Sequence, residues 1–186
     1  FTLDAILVPD FGQTKFDNVV LNLGPFEQQF NENRPFFTEG TDLFSKGNLL
    51  YSRRIGQTPD LNLNIAENES VESPGAINLV NALKVSGRDK DGLGIGFLNA
   101  ITEKTMATAT NSFDNSTRQV EVSPLTNYNV MVFDQRFNQN SSVTFINTNV
   151  TRNGSFRDAN VTGLLFDLNN KTNKYNLSGG LKSSST

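Results

Sequence analysis

The second half of the chain alternates regularly between two kinds of side chain, and this period limits the fold more than any other feature. In residues 81–88 one face carries Leu83, Val85 and Gly87, and the other carries Ala82, Lys84 and Ser86. The sequence "DKDG" then leads into residues 93–102, which alternate in the same way. Because successive side chains of a β-strand point to opposite faces, this stretch predicts a β-hairpin.

The same arrangement occurs twice more along the chain. Residues 128–137 and 142–152 flank "NQNS", and residues 160–168 and 174–182 flank "NNKTN". The pattern predicts three consecutive hairpins in an antiparallel meander, with tight turns near residues 89–92, 138–141 and 169–173. We therefore predict an all-β fold for this half.

One face of each predicted strand is markedly polar or small. Asn147 and Asn149 alternate with Val143 and Phe145, for example. In a soluble sandwich the polar face meets water outside, whereas in a membrane barrel it lines a wet lumen and the apolar face meets lipid. Alternation alone leaves both architectures open.

Composition excludes several classes of function. The chain has no cysteine and no histidine, which removes disulfides, thiolate metal sites and the usual general base. A formal charge of -3 does not attract nucleic acid. No apolar run is long enough for a membrane-spanning helix. We predict no catalytic, cofactor-binding or metal-binding residue.

Two short motifs resemble ligand-binding loops but have simpler interpretations. The glycines of "GLGIG", residues 92–96, fall inside a predicted strand, so close approach of another segment or a kink explains them better than a phosphate-binding turn. The carboxylates of "DKDG" lack the further oxygen ligands of a calcium loop, so a hairpin turn is the better interpretation.

The first half is irregular and contains "NENRPFFTEG", residues 31–40, which combines charged and aromatic residues. Residues 1–8 and 19–23 are predicted short strands. A charge removed from water needs an opposite charge or hydrogen bonds, so a polar network is expected around Arg34. The predicted members of this network are Arg34, Glu32, Glu39, Arg53 and Arg54.

Phe36 and Phe37 are the predicted buried aromatic residues of the same stretch, and Pro35 is expected to hold Arg34 extended. The acidic residues before Phe44 also suggest a weaker alternative, glycoside hydrolysis by paired carboxylates. These residues are Asp10, Glu27, Glu32 and Glu39.

Four pieces of the chain together carry a resemblance to a known family. They are residues 8–44, which include "RPFFTEG", "YSRRIG" at residues 51–56, residues 81–103, and "SPLTNYNV" at residues 123–130. The chain resembles large Gram-negative outer-membrane proteins that join an N-terminal domain similar to family-9 carbohydrate-binding modules to a C-terminal β-barrel.

The resemblance implies an internal fragment of a transmembrane outer-membrane β-barrel. Residues 1–47 would form a plug or barrel-entry segment, and residues 48–186 the strands of an incomplete barrel. The implied function is non-enzymatic, in transport, surface anchoring or envelope assembly, with a link to glycan handling. The implied partners are outer-membrane lipid, other envelope proteins or the rest of the same chain, and glycan. A soluble or surface carbohydrate-binding β-protein is the alternative.

Overall fold

The computed structural model describes residues 2–7, 31–59, 65–137 and 140–186, and residues 2–7 only as a backbone strand. The strands are β1 (Thr2–Leu7), β2 (Glu69–Glu72), β3 (Leu79–Arg88), β4 (Leu93–Thr102), β5 (Thr105–Asn111), β6 (Thr117–Ser123), β7 (Thr126–Phe137), β8 (Ser141–Arg152), β9 (Ala159–Asn169) and β10 (Asn176–Ser185). The helical elements are α1 (Pro35–Thr38) and two 3-10 turns, Lys46–Asn48 and Ser52–Arg54. The fold is all-β, with 56% strand.

The strands form two antiparallel sheets. The large sheet has the order β1-β3-β4-β7-β8-β9-β10, and the small sheet has the order β2-β5-β6. The three predicted hairpins are present as β3–β4, β7–β8 and β9–β10. The all-β antiparallel prediction is therefore confirmed.

The predicted meander needs one correction, because a fourth hairpin interrupts it. β5 and β6 pair with each other and with β2, outside the large sheet, while β4 pairs directly with β7. The three predicted hairpins are consecutive in the large sheet but not in the chain. The Thr- and Ala-rich β5 and the charged β6 lack a strong apolar alternation, which is why the sequence pattern missed them.

The large sheet is open in the described part of the chain. β1 and β10 form its two edges, and no closed barrel is found among these residues. β1 coincides with the predicted strand at residues 1–8, whereas the predicted strand at residues 19–23 lies outside the described residues. β1 precedes residue 47 and pairs with β3 in the large sheet.

Residues 31–56, here called the covering segment, pack on one face of the large sheet, here called the inner face. The main core lies between them. The covering segment contributes Phe36, Phe37, Leu43, Phe44 and Ile55, and the sheet contributes Leu79, Ala82, Leu98, Ala100, Val130, Val132 and Ile146. The covering segment continues beyond residue 47 as far as Ile55.

Glycines of β4 make room for this packing. A Cβ atom at Gly94 would lie 2.8 Å from Leu43 Cδ2, and one at Gly96 would lie 3.1 Å from the Phe44 ring. The close-approach interpretation of "GLGIG" is thus confirmed. Gly92 has a different role, because its φ of 91° is strained for any side chain in the β3–β4 turn.

Candidate functional site

The covering segment begins with a single helical turn that its sequence specifies. Pro35 is the first residue of α1, and Arg34 before it is extended, with φ −78° and ψ 122°. This matches the restriction that a proline places on the residue before it. The turn directs Phe36 and Phe37 together into the core, where their rings meet edge to face at 5.0 Å.

Arg34 is the centre of a buried polar network within the covering segment. Its side chain is 1% exposed, and Nε and Nη2 donate to the two carboxylate oxygens of Glu32 at 2.7 and 2.6 Å. Nη1 donates to the Ile55 carbonyl at 2.6 Å, and Nη2 to the Ser52 carbonyl at 2.8 Å. The guanidinium also lies 4.3 Å from the centre of the Phe37 ring. One side chain therefore joins the start of the segment to its end.

The Glu32 carboxylate is held in its charged form by this network. Burial raises its pKa, but hydrogen bonds from Arg34 and Ser52 and the charge of Arg34 outweigh burial, so the pKa lies below its ordinary value of 4.5. Arg53, also buried, approaches the same carboxylate at 4.0 Å. Glu32 is thus an ionised structural partner of two arginines.

Two predicted members of the network lie elsewhere. The Glu39 side chain is exposed, and its backbone carbonyl, rather than its carboxylate, accepts a hydrogen bond from Lys84. Arg54 is exposed and lies 5.8 Å from the Tyr51 ring centre. The cause is local geometry, because α1 ends at Thr38 and the 3-10 turn places Arg53 inward and Arg54 outward. Of the acidic residues proposed for hydrolysis, Asp10 and Glu27 lie outside the described residues.

Lys84 of β3 fastens the covering segment to the sheet. It is fully buried on the inner face, and Nζ donates to the carbonyls of Phe36 and Glu39, both at 2.6 Å. Its ammonium group also lies 4.9 Å from the Phe36 ring centre. Ser86, the next inner-face residue of β3, donates from Oγ to the Gly40 carbonyl at 3.3 Å. These contacts satisfy backbone carbonyls of α1 and of the two residues that follow it.

A second charged cluster surrounds Asp134 of β7, which is fully buried. Lys46 of the covering segment donates to its Oδ1 at 2.6 Å, and Thr144 donates to the same oxygen at 2.6 Å. Arg88 pairs with Oδ2 from two strands away, and Arg136 lies 3.7 Å from that oxygen. The two strands carrying Arg88 and Asp134 are separated by β4.

Gly94 of β4 leaves room for the Arg88 side chain to cross β4 and contact Asp134. The register places Gly94 between Arg88 and Asp134 on the inner face, and a Cβ atom there would lie 2.9 Å from Arg88 Nη2. Burial raises the pKa of Asp134, but hydrogen bonds from Lys46, Thr144 and Arg88 outweigh it, so the pKa lies below its ordinary value of 3.8. The carboxylate is therefore an ionised anchor for the covering segment.

The opposite face of the large sheet, here called the outer face, carries apolar side chains, several of which are more than one-third exposed. Met131 and Phe133 are 42% and 41% exposed, and Leu177 and Leu181 are 63% and 76% exposed. The pairing register joins side chains of six strands into what we call the apolar band: Leu83, Val85, Leu93, Ile95, Phe97, Met131, Phe133, Phe137, Val143, Phe145, Leu164, Phe166, Leu168, Leu177 and Leu181. Soluble monomers rarely expose so large a contiguous apolar surface.

Both faces of the large sheet thus carry apolar side chains, but only the inner face is covered. The inner face buries the polar Lys84, Asp134 and Thr144 beside its apolar core, while the outer face exposes leucine and phenylalanine. The alternation persists on the edge strand β10, whose inner residues include Ser178 and Lys182 and whose outer residues include Leu177 and Leu181. Sequence reasoning found the alternation but not the roles of Lys46, Lys84 and Asp134, because their partners are distant in the chain.

The described residues contain no helix long and apolar enough to cross a membrane. Within the same residues, no group of three or more acidic side chains lies close enough together to hold a metal ion. In the described part of the chain, the contacts of Lys84 and Asp134 hold the covering segment against the sheet.

Comparison with protein families gives a match along the whole chain. Residues 1–186 match the family model DUF5916, described as a domain of unknown function. The chain belongs to the DUF5916 family. No curated protein and no solved structure matches the chain.

Proposed function

We propose that this DUF5916 domain is part of a transmembrane β-barrel of the bacterial outer membrane and has no enzymatic role. In this proposal the apolar band faces the hydrocarbon, the inner face lines the lumen, and the covering segment fills the lumen as a plug. The observation that carries the proposal is the exposed apolar band, with Phe133 and Leu177 on the outer face, opposite an inner face that buries the charged Asp134 and Lys84 beside its apolar core. Outer-membrane barrels present an apolar band to the lipid and enclose polar groups.

The open edges fit the same proposal. Seven strands are in the large sheet, whereas about eight is the practical minimum for a closed transmembrane barrel. Strands from the same protein or from another envelope protein would pair with β1 and β10 and satisfy their edges. Transport, surface anchoring and envelope assembly are the roles compatible with such a plugged barrel.

A charge introduced into the apolar band tests the proposal. In the full-length protein, Phe133→Arg should reduce folding into lipid vesicles strongly, because arginine near the middle of a bilayer costs about 2–4 kcal/mol on a barrel surface. Thr151→Arg, at an exposed outer-face position of β8 beyond Asn149 and outside the band, is the matched control and should fold nearly as well as the wild type.

The alternative is a soluble carbohydrate-binding protein, and solubility separates the two. If the full-length protein stays monomeric and folded in plain buffer after removal of membrane and detergent, the barrel proposal fails. Glycan binding by that soluble protein would then support the alternative.

A further inference from the structure

A row of asparagines crosses the outer face at one end of the apolar band. Asn99, Asn129, Asn149 and Asn160 lie directly opposite one another on the neighbouring strands β4, β7, β8 and β9. All four side chains are partly exposed. Asparagine is disfavoured in strands, so local preference does not account for four of them in one row.

The amides of this row and its neighbours form hydrogen bonds sideways along the surface. Asn99 Nδ2 donates to Asn129 Oδ1 at 2.8 Å and to Asn127 Oδ1 at 2.7 Å. Asn147 Nδ2 donates to Thr162 Oγ1 at 2.8 Å and to Asn160 Oδ1 at 3.1 Å. Each amide has two donor hydrogens and two acceptor lone pairs, so a row of four asparagines has more hydrogen-bonding groups than these contacts use.

The chain connections identify which end of the barrel carries this row. At the opposite end, short turns join β3 to β4 and β9 to β10, and β8 begins only four residues after β7 ends. At the asparagine end, residues 103–125 leave the large sheet to form β5 and β6, and residues 153–158 connect β8 to β9. In outer-membrane barrels the short turns are periplasmic and the longer loops are extracellular. The asparagine row therefore lies at the outer leaflet.

We infer that this row, the asparagine belt, binds the saccharide headgroups of outer-leaflet glycolipids; the inference rests on the proposed function. The belt is continuous with the apolar band, because Phe97 and Met131 occupy the next row on the same face. A glycolipid whose chains contact the band thus places its headgroup at the belt. Neutral amides that both donate and accept match sugar hydroxyls, whereas binding of a phosphate calls for cationic side chains.

The test uses the full-length protein in phosphatidylcholine vesicles with and without lipopolysaccharide. Asn129→Thr with Asn149→Thr removes two amides and introduces residues that suit strands. Gln135→Thr, on the same face near the opposite end, is the control. The wild type and the control should bind lipopolysaccharide equally well, and the double variant about tenfold more weakly, since two hydrogen bonds are removed.

Three outcomes separate the claims. Equal lipopolysaccharide binding by the double variant and the wild type would overturn the belt and leave the barrel proposal standing. A double variant that is less stable than the wild type in phosphatidylcholine alone, with unchanged lipopolysaccharide binding, would assign the row a purely structural role and also overturn the inference. Failure of the wild type to insert into either vesicle would overturn the proposed function itself.

Discussion

Replacement of Asp134 by asparagine should loosen the covering segment by a predictable amount. The change keeps the shape of the side chain but leaves Lys46 and Arg88, which are only 24% and 23% exposed, without their carboxylate. Removing one partner of a fully buried ion pair costs about 3–5 kcal/mol. Because these cations retain some contact with water, we expect about 2–4 kcal/mol here.

Hydrogen exchange of residues 41–56 measures this free energy directly. A loss of about 2–4 kcal/mol in the opening free energy accelerates exchange of the protected amides roughly 30- to 700-fold. The amides of Ser45 and Ile55 report on the segment, since both donate within it. Asp158→Asn, at an exposed position in the β8–β9 connection, is the matched control and should leave this exchange unchanged.

A double-mutant cycle completes this test. Lys46→Met with Asp134→Asn should be less destabilising than the sum of the two single changes by at least about 1 kcal/mol, because each single change already removes the shared contact. Strictly additive effects, or identical exchange in Asp134→Asn and Asp158→Asn, would refute the view that Asp134 anchors the segment.

Three further predictions follow from the same contacts. Arg34→Lys should lower the thermal midpoint of the full-length protein, with a cost of about 2–3 kcal/mol, because a lysine cannot reproduce the bidentate pair with Glu32, and an unchanged midpoint would contradict this. Gly94→Ala should increase exchange of the covering segment by crowding Arg88 and Leu43, whereas Gly75→Ala, which meets nothing within 4 Å, should not. The pKa values of Glu32 and Asp134 are depressed in the folded protein, so both carboxylates stabilise the covering segment when they are ionised. The protection of this segment from hydrogen exchange should therefore be complete above about pH 4.5 and decline as the pH falls below about 3.8. Protection that rises on acidification would contradict this sign.

The two-residue alternation of side chains in the sequence predicted most of the large sheet. Three hairpins and the β3–β4 turn follow from alternation and turn residues, which are local signals. The β5–β6 hairpin was missed because its strands carry little apolar contrast between their two faces. Its departure into a second sheet depends on β4 pairing with β7, a contact that no local pattern encodes.

The candidate site was predictable only where its contacts are short in sequence. Arg34 lies two residues from Glu32, and both belong to the quoted stretch around "RPFFTEG". Lys84 contacts carbonyls 45 and 48 residues away, and Lys46 contacts an aspartate 88 residues away. The Glu39 side chain is exposed, because sequence proximity to Arg34 does not determine the direction of a side chain after a helical turn.

The lipid accessibility of neighbouring residues on β10 tests the central claim most directly. Leu177 and Ser178 are adjacent and both exposed, but they lie on opposite faces of the large sheet. The 186 residues contain no cysteine, so Leu177→Cys and Ser178→Cys each provide a unique spin-label site within them. In full-length protein reconstituted into vesicles, the label at 177 should collide with oxygen dissolved in lipid, and the label at 178 with a water-soluble nickel reagent. Two labels that are equally accessible to the water-soluble reagent would contradict a lipid-facing apolar band.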